Sequence, residues 1–350
     1  MQAVTGGMMQ IEQLFLLGFE GCELCPGHWL EKAVDKGLGG VILFDRNIDG
    51  SVQNITSPAQ LSRLTASLQE LAAETLLIAV DQEGGQVCRL KERDGFPPTC
   101  SAARLGRSSS EEATIHAARL LAATLVEHGI NVNLAPVVDL DLNPDNPIIS
   151  RYERSFGSRV ETVVAHARAF IQAHHEHNIA CCLKHFPGHG SSRGDSHLGF
   201  VDVTCDWQSV ELQPYVDLFK GGFADAVMTA HLVQRGLDPS GDPATLSSRI
   251  INKILREELG FGGVTMTDDL QMRAIADHYG FKEAVQRAVL AGVDLLVVGN
   301  NLERSGNVLG RGVRAVEELL EQGDVAEESI AGAIARVKAL KKKIEGRLAW

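Results

Sequence analysis

The sequence predicts an α/β fold, a single (β/α)8 barrel of the TIM type. Three observations carry that expectation. Eight short apolar runs recur along the chain, each closed by a polar or glycine cluster. Helical patterns fill the intervals between them. The length, 350 residues, suits one large barrel, and no linker, low-complexity stretch or composition shift divides it. One catalytic barrel domain is therefore expected over residues 1–350. Near-continuous apolar runs mark parallel strands buried on both faces, and their alternation with helices is the pattern of such a barrel.

The first run is residues 14–17 (LFLL), closed by Gly18-Phe19-Glu20. The second, 40–44 (GVILF), is closed by Asp45-Arg46-Asn47, and the third, 76–80 (LLIAV), by Asp81-Gln82-Glu83-Gly84-Gly85. Between them a helix covers 57–74, with Leu61, Leu64, Leu68 and Leu71 at helical spacing and Ser57-Pro58 as cap and first turn. The next helix, 109–128, opens on Ser-Ser-Glu-Glu and carries Ile115, Ala118, Leu121 and Leu125. The run 132–138 (VNLAPVV) ends in Asp139; Pro136 cannot donate to a central ladder, so it belongs near the strand's end. A helix over 160–175 leads to 180–183 (ACCL), closed by Lys184-His185, and the run 226–230 (AVMTA) is closed by His231. A helix over 247–259 precedes 264–267 (VTMT), which ends in Asp268-Asp269. A helix over 282–291 precedes 294–298 (DLLVV), closed by Gly299-Asn300. Helices over 313–321 and about 327–344 follow, the latter with Ile330, Ile334, Val337 and Leu340.

The chain is 44% hydrophobic and 22% charged, an ordinary globular balance that can bury a core without staples. A net charge of −12 with no basic stripe argues against nucleic acid as a partner. The lysine run Lys341-Lys342-Lys343 reads as a solvated helix end that suits the macrodipole. Seven cysteines fit a reducing compartment. Cys181 and Cys182 sit in an apolar run, and Cys22-Glu23-Leu24-Cys25 is a lone CxxC, better read as a turn with two thiols than as zinc ligation. Neither a signal peptide nor a run approaching about 18 apolar residues is present. A cytoplasmic monomer, with no membrane partner, is expected.

Barrel active sites lie at the carboxyl ends of the strands. Here those ends carry Asp45, Asp81, Asp139, Lys184-His185, His231 and Asp268, while the opposite ends (Gly39, Glu74, Ile130, Gly222) are mostly bland. The stretch KHFPGHGSSRGDSH, Lys184 to His197, concentrates the chemistry. A structural loop needs its glycines but gains little from His185, His189, Asp195 and His197 together. In Asp268-Asp269, successive strand side chains face opposite ways. One can enter the mouth as a nucleophile or electrostatic stabiliser while the other holds backbone; alternatively both cap the next helix. Asp195-Ser196-His197 can form an Asp–His dyad, with the carboxylate fixing the imidazole's tautomer and raising its basicity, or a simple Asx-turn. Asp81 and Arg89 flank a double glycine that lets backbone approach a ligand. With Arg154, in the loop RYERSFG, they make polar clamps suited to a sugar's many hydroxyls.

The motifs KHFPGHG, DSH (195–197), DQEGGQVCRL (81–90), NLAPVVDL (133–140), RSFG (154–157), MTAH (228–231) and MTDDLQM (266–272) together resemble glycoside hydrolase family 3. The likeness is greatest to its single-domain β-N-acetylglucosaminidases of peptidoglycan recycling, and it spans about residues 11–345. The resemblance implies Asp268 as nucleophile, His197 as acid/base with Asp195 as its partner, and Asp81, Arg89, Arg154, Lys184 and His185 as sugar-binding residues. It implies a carbohydrate containing N-acetylglucosamine as substrate and no cofactor or metal. Relatives often have an acidic residue where this chain has Ser191, which leaves the loop's packing open. The implied reaction retains configuration: imidazolium His197 protonates the leaving oxygen as Asp268 attacks C1, and water then breaks the glycosyl-aspartate. Three other readings stand beside it. Phosphate replaces water as acceptor; or His185, His189, His197 and His231 hold a hydrolytic metal, against which Lys184 would repel a cation; or the barrel binds sugar without catalysis.

Overall fold

The computed structural model describes residues 9–108, 110–195, 199, 201–223 and 225–347. Eight strands form one all-parallel sheet: Phe15–Leu17 (β1), Gly40–Leu43 (β2), Leu77–Val80 (β3), Val132–Asn133 (β4), Ala180–Phe186 (β5), Ala226–Thr229 (β6), Val264–Thr267 (β7) and Leu296–Val298 (β8). Sequence neighbours pair throughout, β8 pairs with β1, and a parallel bridge between Met266 and Leu295 joins β7 to β8. The sheet thus closes into the expected barrel.

Strand alternation sorts the apolar residues into two cores. Leu16, Ile42, Leu77, Ala79, Val132, Cys182, Met228, Met266 and Val297 fill the barrel interior. Their neighbours Phe15, Leu17, Val41, Leu43, Ile78, Val80, Leu183, Val227 and Val298 face the helical ring. That ring includes Pro58–Glu70, Glu112–Glu127, Val160–His175, Arg249–Glu258, Phe281–Ala291 and Val308–Gln322, close to the expected spans. It also includes Trp29–Asp35, Ala102–Gly106 and Gln213–Lys220, which periodicity does not reveal. Each is at most eight residues long, too short for a repeating apolar face.

The last helix, Glu327–Arg347, closes the floor of the barrel. Its Val337, Leu340 and Ile344 join the interior core. Arg336 reaches Asp294 at 2.8 Å, Lys341 donates to Gln13 at 3.0 Å, and Lys343 pairs with Asp225, all at residues that precede strands. The expectation of a solvated lysine run fails at Lys341, while Lys342 and Lys343 are exposed. Lys341 is only 4% exposed, and burial pulls its ammonium down to about 8. A three-residue charge run reveals nothing about what lies beneath it. Pro136 lies beyond the β4 ladder, which ends at Asn133. Among the described residues, no helix is long and apolar enough to cross a membrane. No disulfide joins any of the seven cysteines.

Candidate active site

The carboxyl ends of the strands open onto two adjoining cavities of about 390 and 230 Å3. They share Asp81, Arg89, Met228 and Asp268. A larger cavity, about 460 Å3, lies outside the mouth against apolar residues such as Phe96, Leu121 and Phe170. It meets the mouth only at Glu83, so size here does not mark the chemistry.

Beyond β3 the chain folds into a small hairpin, Gln82–Gly84 against Val87–Cys88. Gly84 has φ +100°, and a Cβ there would stand 2.3 Å from the carbonyl oxygen of Cys100, so the turn needs glycine. This hairpin points Asp81 and Glu83 at Lys184, the fifth residue of β5. The Lys184 Nζ lies 2.8 Å from Asp81 Oδ1 and 2.7 Å from Glu83 Oε1. Arg89 Nη2 donates to Asp81 Oδ2 at 3.1 Å. Arg154 grips Glu83 at two points, Nε to Oε2 at 2.8 Å and Nη2 to Oε1 at 2.7 Å. Its Nη2 also donates to His185 Nε2 at 3.1 Å. The other ring nitrogen, His185 Nδ1, donates to Asp139 at 2.7 Å. Asp139 further accepts the backbone N–H of His185 and, at 2.8 Å, that of His189.

The electrostatics follow from these contacts. Withdrawal from water would raise the Asp81 carboxyl, but Lys184 and Arg89 outweigh it and hold the group well below the usual carboxylate range. Glu83 is likewise held down against burial by Arg154 and Lys184, and Asp139 by His185 and His189. Burial would lower the two cations, but Glu83 and its neighbours raise Arg154, and Asp81 with Glu83 raises Lys184. All these groups stay ionised at neutral pH.

Asp268, just past β7, lines both cavities. Its Oδ1 accepts the N–H of Asp269 at 2.8 Å. Asp269 is turned to backbone duty: Oδ1 accepts the N–H of Gln271 at 2.9 Å, and its carbonyl bonds His231 Nε2 at 2.9 Å. Asp195 lines the larger mouth cavity with Lys184, His185 and His189. His197 lies outside the described residues. The loop that leads to Asp195 begins at Gly190, where a Cβ would stand 1.7 Å from the carbonyl oxygen of Leu140. Ser191 then anchors to buried Glu211, its Oγ 2.6 Å from Oε1. That contact packs the start of the loop against a buried carboxylate.

Asp81, Arg89, Arg154, Lys184, His185, Asp195 and Asp268 therefore converge on one mouth. Sequence reasoning noted Asp139 only as a strand end and gave Glu83 no part, yet these carboxylates tie the cations together. For Glu83 the available signal was its place beside the Gly84-Gly85 turn. The four-histidine metal centre finds no support. His231 spends its ring nitrogens on Thr245 and the Asp269 carbonyl, and His185 spends its own on Asp139 and Arg154. Among the described residues, no group of three His, Cys, Asp or Glu side chains converges on a cation site.

Ionised acids beside hydrogen-bonding cations at a barrel mouth suit a neutral, hydroxyl-rich ligand, and Asp268 lines the same cavity. Comparison with known proteins identifies the architecture. The model of the glycosyl hydrolase family 3 N terminal domain matches residues 13–340. The chain belongs to glycosyl hydrolase family 3. This family 3 member is a glycoside hydrolase, on the strength of the family match and its relatives. It is 37% identical over 298 residues to the beta-hexosaminidase of Tolumonas auensis, covering 84% of each chain. The structure of a family 3 beta-N-acetylglucosaminidase from Paenibacillus sp. superposes with a TM-score of 0.86 at 35% identity, over 97% of this chain and 63% of that one. The chain thus spans less than two thirds of the Paenibacillus protein. The beta-N-acetylhexosaminidase of Beutenbergia cavernae gives 0.82 at 28% identity, over 95% of this chain and 98% of that one.

Proposed function

We propose that this family 3 hydrolase is a retaining exo-β-N-acetylglucosaminidase that removes terminal N-acetylglucosamine from peptidoglycan fragments. The observation that carries the reading is the position of Asp268 in the same cavity as the Asp81–Lys184–Arg89 clamp and Asp195. The names of its relatives support the sugar. The motif resemblance supports the muropeptide setting. Asp268 attacks C1 and forms a glycosyl ester, while His197, charged and steadied by Asp195, protonates the departing oxygen. The same imidazole then takes a proton from the water that breaks the ester. Retaining enzymes commonly use a second carboxylate for that task; an imidazole near its ordinary pKa of about 6.5 can both give and take a proton at neutral pH. We propose that the barrel supplies every reacting group as a cytoplasmic monomer. A relative covered over 98% of its length supports the first point, and seven cysteines without a disulfide support the cytoplasmic setting.

The phosphorylase alternative calls for a cationic seat near the loop. Arg193 pairs with Asp206 at 2.9 Å and stands exposed, and His189 is pushed down to about 4 by burial, with neighbouring His185 adding to the effect, so its ring is neutral. Both observations favour water as the acceptor. The test is release of nitrophenol from the aryl β-N-acetylglucosaminide beside the glucoside and xyloside. Preference for the N-acetyl sugar is expected; equal or greater rates on the glucoside or xyloside would overturn the assignment.

A further inference from the structure

Two imidazoles stand together in the mouth, and their hydrogen-bonding capacity is spent very differently. The rings of His185 and His189 meet edge to face with centroids 6.0 Å apart. His185 has both nitrogens engaged, one with Asp139 and one with Arg154. His189 is 2% exposed, and neither ring nitrogen has a hydrogen-bond partner among the described residues. Buried polar atoms without partners are rare and costly. This one is not a loose side chain. The backbone N–H of His189 donates to Asp139 at 2.8 Å, and its carbonyl accepts from Asn146 at 2.8 Å, so the main chain is pinned on both sides. The ring lines the cavity that also holds Asp81, Lys184 and Asp268.

We infer that His189 is a substrate-binding residue that forms a hydrogen bond with a hydroxyl group of the bound sugar. A neutral imidazole offers one N–H and one lone pair. The two point away from each other across the ring, so a hydroxyl meets one of them, accepting from the N–H or donating to the lone pair. Burial keeps the ring neutral, so it neither attracts an anion nor repels the clamp's cations. The sugar hydroxyl then supplies a partner that the protein withholds, and the cost at that nitrogen is relieved only in the complex. The ring nitrogens of His185, by contrast, already tie Asp139 to Arg154. The inference rests on the glycosidase reading for its ligand but not for its geometry.

The experiment compares wild type with His189→Phe on aryl β-N-acetylglucosaminide and on its 3-, 4- and 6-deoxy analogues. His189→Phe should lower kcat/KM by roughly 10- to 100-fold on the parent, the range for one buried hydrogen bond. On one deoxy analogue the loss should shrink to about threefold or less, because the partner hydroxyl is already gone. His189→Asn, which keeps a donor and an acceptor, should recover part of the rate. An equal loss on all four substrates, or no loss, overturns the proposal. Ring nitrogen resonances of His189 in the wild-type protein give a readout independent of any variant's folding. Saturating N-acetylglucosamine, glucose or xylose should move them, and unmoved resonances with each bound sugar overturn the proposal. Failure of wild type to cleave any aryl glycoside would instead remove the glycosidase reading, with the sugar titration still deciding His189.

Discussion

Replacing Glu83 by glutamine should damage this enzyme more than any other isosteric change outside the reacting groups. The Glu83 side chain is 4% exposed and is the shared anion of two cations, with contacts of 2.7 Å to Lys184 and 2.8 and 2.7 Å to Arg154. The amide keeps the shape and one accepting oxygen but turns an NH2 group toward a guanidinium or ammonium. Removing one partner of a buried ion pair costs about 3–5 kcal/mol, because the other charge is left uncompensated. The retained oxygen argues for the lower end, about 3 kcal/mol. Urea unfolding of wild type and Glu83→Gln at neutral pH measures it. Burial would raise the folded-state value of Glu83, but Arg154 and Lys184 depress it below the ordinary 4.5. Its contribution is therefore complete above about 4.5 and is lost as pH falls through the depressed value. The gap between wild type and variant should be flat above that pH and narrow below it. Adding Arg154→Met should cost less than the two single losses together, since no lone charge then remains. A gap under about 0.5 kcal/mol at neutral pH, or one that widens in acid, would refute the argument.

Four other outcomes are expected. Asp268→Asn should abolish turnover with an unchanged thermal midpoint, and an activated fluorosugar should label wild type at Asp268; a label on Asp269 or Glu83 refutes the nucleophile. His197→Ala should lose on the order of 10² to 10⁴ in rate on poor leaving groups and much less on activated phenols, with azide rescuing deglycosylation. Asp195→Asn should follow it in milder form, and the double variant should be no worse than the worse single one; additive losses would separate the pair. In millimolar phosphate buffer, free sugar should remain the main product, and an excess of glycosyl phosphate would hand the reaction to phosphorolysis.

The barrel was legible because its strands obey a local rule. A parallel strand covered on both faces must be apolar along its length, and the runs at 14–17, 40–44 and 76–80 are. The convergence at the mouth was legible for the same reason, since a group that ends such a strand stands at the carboxyl face whatever its distant neighbours. Short helices were not legible. In Trp29–Asp35 only Leu30, Ala33 and Val34 are buried, too few to define a period. Glu83 was not legible either. Its function depends on a hairpin that turns it under Arg154, 71 positions away, and no local pattern encodes that meeting. Lys341 fails in the opposite sense: its local pattern is that of a surface, and only the floor of the barrel makes it interior.

The ion pairs at the mouth also constrain how the site can work. Asp81, Glu83 and Asp139 are spent on Lys184, Arg89, Arg154 and His185 before any ligand arrives. A sugar carries no charge, so it cannot replace either member of these pairs and must bind through capacity they leave unused. Such capacity remains on the second lone pairs of the Asp81 carboxylate, on the third N–H of Lys184 and on the ring of His189. Because the charges hold one another, the clamp does not reorganise when the sugar enters, and binding energy is not consumed in ordering it. The consequence is asymmetric. Loosening the Arg154–Glu83 pair should weaken catalysis through misplaced Lys184. Removing Asp268 should leave the clamp, and hence sugar binding, intact.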